Sequence, residues 1–283
     1  MVLSGDGIMK KIFAFITAFS LLFSVSFTAS ANTVIPMPEQ LEYGFVECNG
    51  IEMEYAVYGV EDGEELLLLP PNGGDMHSLD GSVLPGLAEH YKVITVSPRG
   101  TGNSGRGEGK LTFEVMSEDL LVFLDTLEIE KVHIFGFSDG GNLGFVFTLA
   151  HQDRVKSLAV MGSNINTLGT NTFDQLQITW QYIVLCVEAW FTGDPDIALR
   201  RDIKGMMVGQ PSLTFKDISE IKVPVFNIYG EHDMIQRWHS RMITRSIDGA
   251  QELMVIGGGH STCFDYTDSV ILPALLEFYG GVQ

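Results

Sequence analysis

Residues 131–151 read KVHIFGFSDGGNLGFVFTLAH. An apolar run, 131–137, ends at Ser138, and a Gly-rich apolar stretch, roughly 139–151, starts at once after it. Apolar runs of these lengths predict a buried strand followed by a helix. Gly136-Phe137-Ser138-Asp139-Gly140 fits the G-x-S-x-G pattern. In a chain with 31 glycines the pattern alone says little, so its placement carries the argument. A strand-to-helix turn this sharp forces the serine into a strained backbone conformation and lifts its hydroxyl above the sheet. Glycines at 136 and 140 leave room for strand and helix to approach. The N–H of Asp139, at the helix start, can then stabilise an oxyanion.

Outward from this junction, strands and helices alternate. Asn49-Gly50 predicts a tight turn between strands 40–48 and 51–60, because both residues tolerate positive φ. Leu66–Leu69 and 91–97 predict further strands, with a weak helix at 80–90 between them. Residues 113–127 carry apolar residues at helical spacing, and 156–163 predict another strand. Alternation breaks at about 164–215, which reads as a helical cap inserted over the sheet. It resumes with a strand at 223–229, a helix near 236–247, a strand at 252–256 and a last helix at 267–279. The expected fold is α/β: a mostly parallel sheet flanked by helices.

A serine nucleophile needs a base, and the base needs an orienting carboxylate. Of seven histidines, His260 follows a strand and Gly257-Gly258-Gly259 and precedes the last helix. It therefore falls on the sheet edge that carries Ser138, where open α/β sheets place their sites. His133 lies within a strand and is expected in the core. His90, His151 and His239 are expected at the surface, and His77 could line the pocket. Asp233, in Gly230-Glu231-His232-Asp233 after strand 223–229, is the expected acid.

Gly100-Thr101-Gly102-Asn103-Ser104-Gly105 also fits G-x-G-x-x-G, but Arg106–Lys110 continues as loop where a dinucleotide site would open a helix. No H-E-x-x-H or paired Cys/His spacing suggests a metal. A formal net charge of -19 argues against a nucleic-acid partner. Cys48, Cys186 and Cys263 are far apart and odd in number, so at least one is unpaired within the chain. Met9-Lys10-Lys11, the apolar stretch 12–28 and Ala29-Ser30-Ala31 follow the order of a secretory signal peptide, so 1–31 is expected to be removed and 32–283 secreted. An uncleaved signal segment would be the chain's one link to a membrane.

The order GFSDGG, YGEHDMI and GGGHS resembles the α/β-hydrolase superfamily, of the AB hydrolase-1 type, over about 40–280. The resemblance implies a serine hydrolase with Ser138 as nucleophile, His260 as base, Asp233 as acid and no cofactor. It also implies an oxyanion hole from the N–H groups of Asp139 and Asn72. Asn72 follows Pro70-Pro71 where the family often carries His-Gly, and Arg99 in SPRGTGNS reads as structural. The expected substrate is a small molecule, first a carboxylic ester, then an amide or peptide as in aminopeptidases. A non-catalytic binding protein on the same scaffold is a further alternative. Trp180, Tyr182, Ile183, Leu185, Trp190 and Phe191 in the cap are candidates for an apolar acyl site.

Overall fold

A computed structural model describes residues 36–282. The expected signal segment, 1–31, lies outside the described residues. Eight strands form one sheet: β1 (Gln40–Cys48), β2 (Ile51–Gly59), β3 (Glu65–Leu69), β4 (Lys92–Val96), β5 (Val132–Phe137), β6 (Val155–Met161), β7 (Val225–Gly230) and β8 (Gln251–Val255). Their order is β1-β2-β4-β3-β5-β6-β7-β8. β1 pairs antiparallel with β2, and β2 with β4, while β3 to β8 run parallel. The β1–β2 hairpin turns on Asn49 and Gly50 at φ 46 and φ 78, the positive values that this dipeptide accommodates.

The central strands are apolar without a break because both faces are covered. Along β3, Leu67 and Leu69 enter one core and Leu66 and Leu68 the other. Nine helices connect or flank the strands among the described residues: α1 (Val83–Leu87), α2 (Phe113–Thr126), α3 (Asp139–Ala150), α4 (Thr172–Thr192), α5 (Pro195–Gly209), α6 (Phe215–Ile218), α7 (Arg237–Ser246), α8 (Thr262–Asp265) and α9 (Leu272–Gly280). Leu120 and Phe123 of α2, Phe145 of α3 and Ile243 of α7 join the Leu67 core. Leu84 and Leu87 of α1 and Leu275 and Phe278 of α9 join the Leu66 core. Residues 164–215 leave the sheet, and α4 packs along α5.

The last helix covers the expected span, but its first turn is wound differently. Residues 267–279 form a wider-wound turn, Thr267–Ile271, and then α9, with α8 ahead of both. Pro273 lies in the first turn of α9, where its missing N–H costs nothing; deeper in one long helix it would remove a hydrogen bond.

The loop after β4 is held from within. Arg99 Nε and Nη2 donate to Asp119 Oδ2 and Oδ1 at 2.7 and 2.6 Å, with the Asp119 side chain fully buried. Asn103 donates to Glu54 through its backbone and its side chain, at 2.9 and 2.6 Å. The glycines of 100–105 thus fold a loop against β2. Arg99→Ala leaves a buried carboxylate without its partner. Chemical denaturation should show a loss of about 3–5 kcal/mol.

Candidate active site

Ser138 stands between β5 and α3 at φ 54 and ψ -120, a region non-glycine residues rarely adopt. Its N–H donates to Met161 O at 2.8 Å, which ties the turn to β6. Close approach makes the turn depend on glycine. A Cβ on Gly136 would lie 2.4 Å from Gly140 O, and one on Gly140 would lie 2.1 Å from Leu69 O.

The parallel strands β5, β7 and β8 bring three distant residues to one sheet edge. Ser138 follows β5, Asp233 follows β7 and His260 follows β8. His260 Nε2 lies 3.0 Å from Ser138 Oγ, and His260 Nδ1 lies 2.8 Å from Asp233 Oδ1. With the proton on Nδ1 donated to Asp233, Nε2 is free to accept from the serine hydroxyl. The Asp233 side chain is fully buried, and its Oδ1 also accepts from Ile235 N at 2.9 Å. Phe137 packs against the imidazole with ring centroids 5.3 Å apart. Burial pulls the His260 pKa down, but the hydrogen bond and charge of Asp233, helped by Asp139 and Asp174, outweigh it. The net shift is upward from the ordinary value.

Asp139 and Asn72 also meet, in a way the sequence did not announce. Asn72 Nδ2 donates to Asp139 Oδ2 and to Ile203 O of α5, both at 2.9 Å. Asp139 Oδ1 accepts from Asn142 Nδ2 at 2.9 Å, and Asn142 exchanges bonds of 3.0 and 2.8 Å with Asn164. The carboxyl of Asp139 therefore anchors the loop after β3, α3 and the start of the 164–215 segment together. Burial raises its pKa to about 6 against the lowering effect of Asn72, Lys204, His260 and Asn142. As the first residue of α3, Asp139 keeps a backbone N–H without an intrahelical acceptor. Asn142 and Asn164 carried no motif. Their one sequence signal is polarity inside otherwise apolar surroundings.

The other histidines scatter. His133 is buried and lies 2.8 Å from Ser157 Oγ. His77 is exposed and turns to Asp80, while His90 is exposed and His151 contacts Glu118. His239, expected at the surface, is fully buried instead. Its Nε2 accepts from Ile165 N at 3.2 Å, and burial lowers its pKa to about 4. It shares the inner face of α7 with Ile243, four residues on, which was the available signal. Cys263 is buried, and burial pushes its thiol pKa up. The expected apolar acyl wall is also revised. Leu185 is buried, but Trp180, Ile183, Trp190 and Phe191 face outward and are exposed. Ile178, Met207, Gln210 and Met234 border Ser138 instead.

The cavity at Ser138 holds about 10 Å³, and its neighbour beside Asn72 about 30 Å³. The first is barely the room of one water. A cleft of about 500 Å³ lies outside, between Arg106, Lys110, Tyr182 and Arg201, and Gln210 borders both it and the Ser138 cavity.

A nucleophile elbow, a histidine and a buried acid on the C-terminal edge of a parallel sheet define the α/β-hydrolase class. The sequence profile of the alpha/beta hydrolase fold matches residues 65–202, from β3 into α5 and through Ser138. A Caulobacter segnis protein provisionally named carbamate hydrolase RutD is 33% identical over 101 residues, which cover 35% of this chain and 38% of that relative. The chain thus matches about two-fifths of this curated relative's length. Two solved structures share the fold at 21% identity each: a hydrolase from Pseudomonas aeruginosa PA01 and the enol-lactonase from Burkholderia xenovorans LB400. The first has a TM-score of 0.71 over 85% of this chain and 99% of its own; the second 0.69 over 84% and 100%. The chain thus has the α/β-hydrolase fold, and residues 65–202 carry that fold's sequence profile.

The raised His260 pKa gives a signed expectation for any turnover that uses this histidine as a base. Only neutral His260 accepts a proton, so kcat/KM should rise with pH through a midpoint above about 6.5. Asp233→Asn removes the charge that holds the proton. The midpoint in a pH–rate profile should then move down, together with a large loss of rate.

Proposed function

We propose that the chain is a serine hydrolase that works through an acyl-enzyme, with small carboxylic esters as its first substrate class. The observation that carries this reading is the unbroken path from Ser138 Oγ through His260 to buried Asp233. Ser138 Oγ attacks the carbonyl carbon while His260 takes its proton. Asp233 holds the imidazole in register and stabilises its charged form. The backbone N–H groups of Asp139 and Asn72 receive the developing oxyanion. His260 then gives its proton to the departing alcohol. In the second half it takes a proton from water, which attacks the acyl carbon, and passes that proton to Ser138 Oγ as the acyl–oxygen bond breaks and the acid leaves.

Residues 164–215 act as the cap in this reading. With about 10 Å³ free at Ser138, substrate reaches the nucleophile only when side chains of α4 and α5, such as Ile178 and Met207, give way. The pattern at Met9–Ala31 supports work outside the cytoplasm after removal of the leader. Amides and carbamates form the second substrate class, supported by the name carried by the Caulobacter segnis relative.

A fluorophosphonate probe needs an activated serine and little substrate recognition. Mass spectrometry should find one adduct, on Ser138, and none in His260→Ala. Matched ester and amide panels on the same preparation then rank the two classes. A folded chain that takes no adduct overturns the serine-hydrolase reading in favour of a binding protein on this scaffold.

A further inference from the structure

One face of α4 is out of keeping with a solvent-exposed helix. Leu176, Trp180, Ile183, Val187, Trp190 and Phe191 are all exposed, from 46% for Ile183 to 78% for Trp190. The first five recur at spacings of four, three, four and three, which is the apolar seam of a helix that packs on another helix. The open area of this stripe is on the order of 700 Å², more than the largest apolar patch of a typical monomer. It is close to the roughly 800 Å² each partner gives a standard interface.

We propose that this stripe is the seam of a two-fold dimer, filled by α4 of a second copy running antiparallel. Opposed directions set the two helix dipoles against each other favourably. Charge also admits a second copy. The seam is flanked by Gln177, Thr179, Val184 and Cys186, none of them charged, so no like charges meet across it despite the net -19 of each chain. Asp174 and Glu188, the charged residues of α4, lie off the seam and are half-buried. The same helix has no Lys or Arg, which an anionic lipid surface would need. The two-fold axis passes at Ile183, midway between Leu176 and Trp190. The opposite face of α4 presents Ile178 to the Ser138 cavity and buries Leu185 and Ala189. A dimer joined here braces the wall of the site from behind. The proposal stands whether or not Ser138 proves to be a nucleophile.

Sedimentation equilibrium of the full chain in detergent-free buffer, from about 1 to 100 μM, reads the assembly. The expected result is twice the chain mass, reduced to one chain mass by Ile183→Glu with an unchanged circular dichroism spectrum. Cross-linking checks the geometry in a Cys186→Ser background. Ile183→Cys should form a disulfide-linked pair under mild oxidation. Trp190→Cys should not, because seven residues from the axis on each copy put the two thiols about 21 Å apart. A single chain mass at every concentration overturns the proposal. So does a dimer untouched by Ile183→Glu, a pair that links through Trp190→Cys and not Ile183→Cys, or a monomer that floats with phosphatidylcholine vesicles.

Discussion

The rest of the site depends on one strained residue. Ser138 at φ 54 cannot relax without pulling α3 off β5, because Gly136 and Gly140 let backbone pack on backbone there. The strain is offset by a sheet that is apolar on both faces and by the Ser138 N–H bond to Met161 O. Parallel strands do the remaining work of placement. Their C-terminal ends share one edge, so residues 95 and 122 positions from Ser138 need only short loops to reach it.

Electrostatics then divides the carboxyls of this edge by role. Asp233 spends one oxygen on His260 and on Ile235 N, which holds the imidazole with its second nitrogen on the serine. Asp139 is turned the other way. Two asparagine amides hold its carboxyl beside Ser138, and through Asn72 it reaches Ile203 of α5. The loop after β3 is therefore tied both to the turn at Ser138 and to α5. Burial raises the pKa of Asp139 to about 6, and its negative charge in turn helps to raise that of His260.

Much of the fold was legible because its signals are local. Asn49-Gly50 marks the hairpin, Leu66–Leu69 marks a strand buried on both faces, and the elbow glycines mark a turn that tolerates no Cβ. Ser138, Asp233 and His260 could be picked out because each follows a strand, and parallel topology turns that shared position into proximity. What escaped was set by tertiary contact. His239 looked like a surface residue until α7 laid it beneath the loop at Ile165. The asparagine network joins residues 72, 142 and 164, which no spacing connects. The aromatic residues of α4 had the right periodicity for a helix, but periodicity does not say which side of the helix meets the protein.

The central claim is that Ser138, His260 and Asp233 act as one unit. The most direct test is a double-mutant cycle on hydrolysis of an activated ester, with Ser138→Ala, His260→Ala and the double variant. Members of a unit are not additive, so the double variant should be no slower than the worse single variant. Losses that multiply in the double variant, or turnover retained in His260→Ala, would contradict the account.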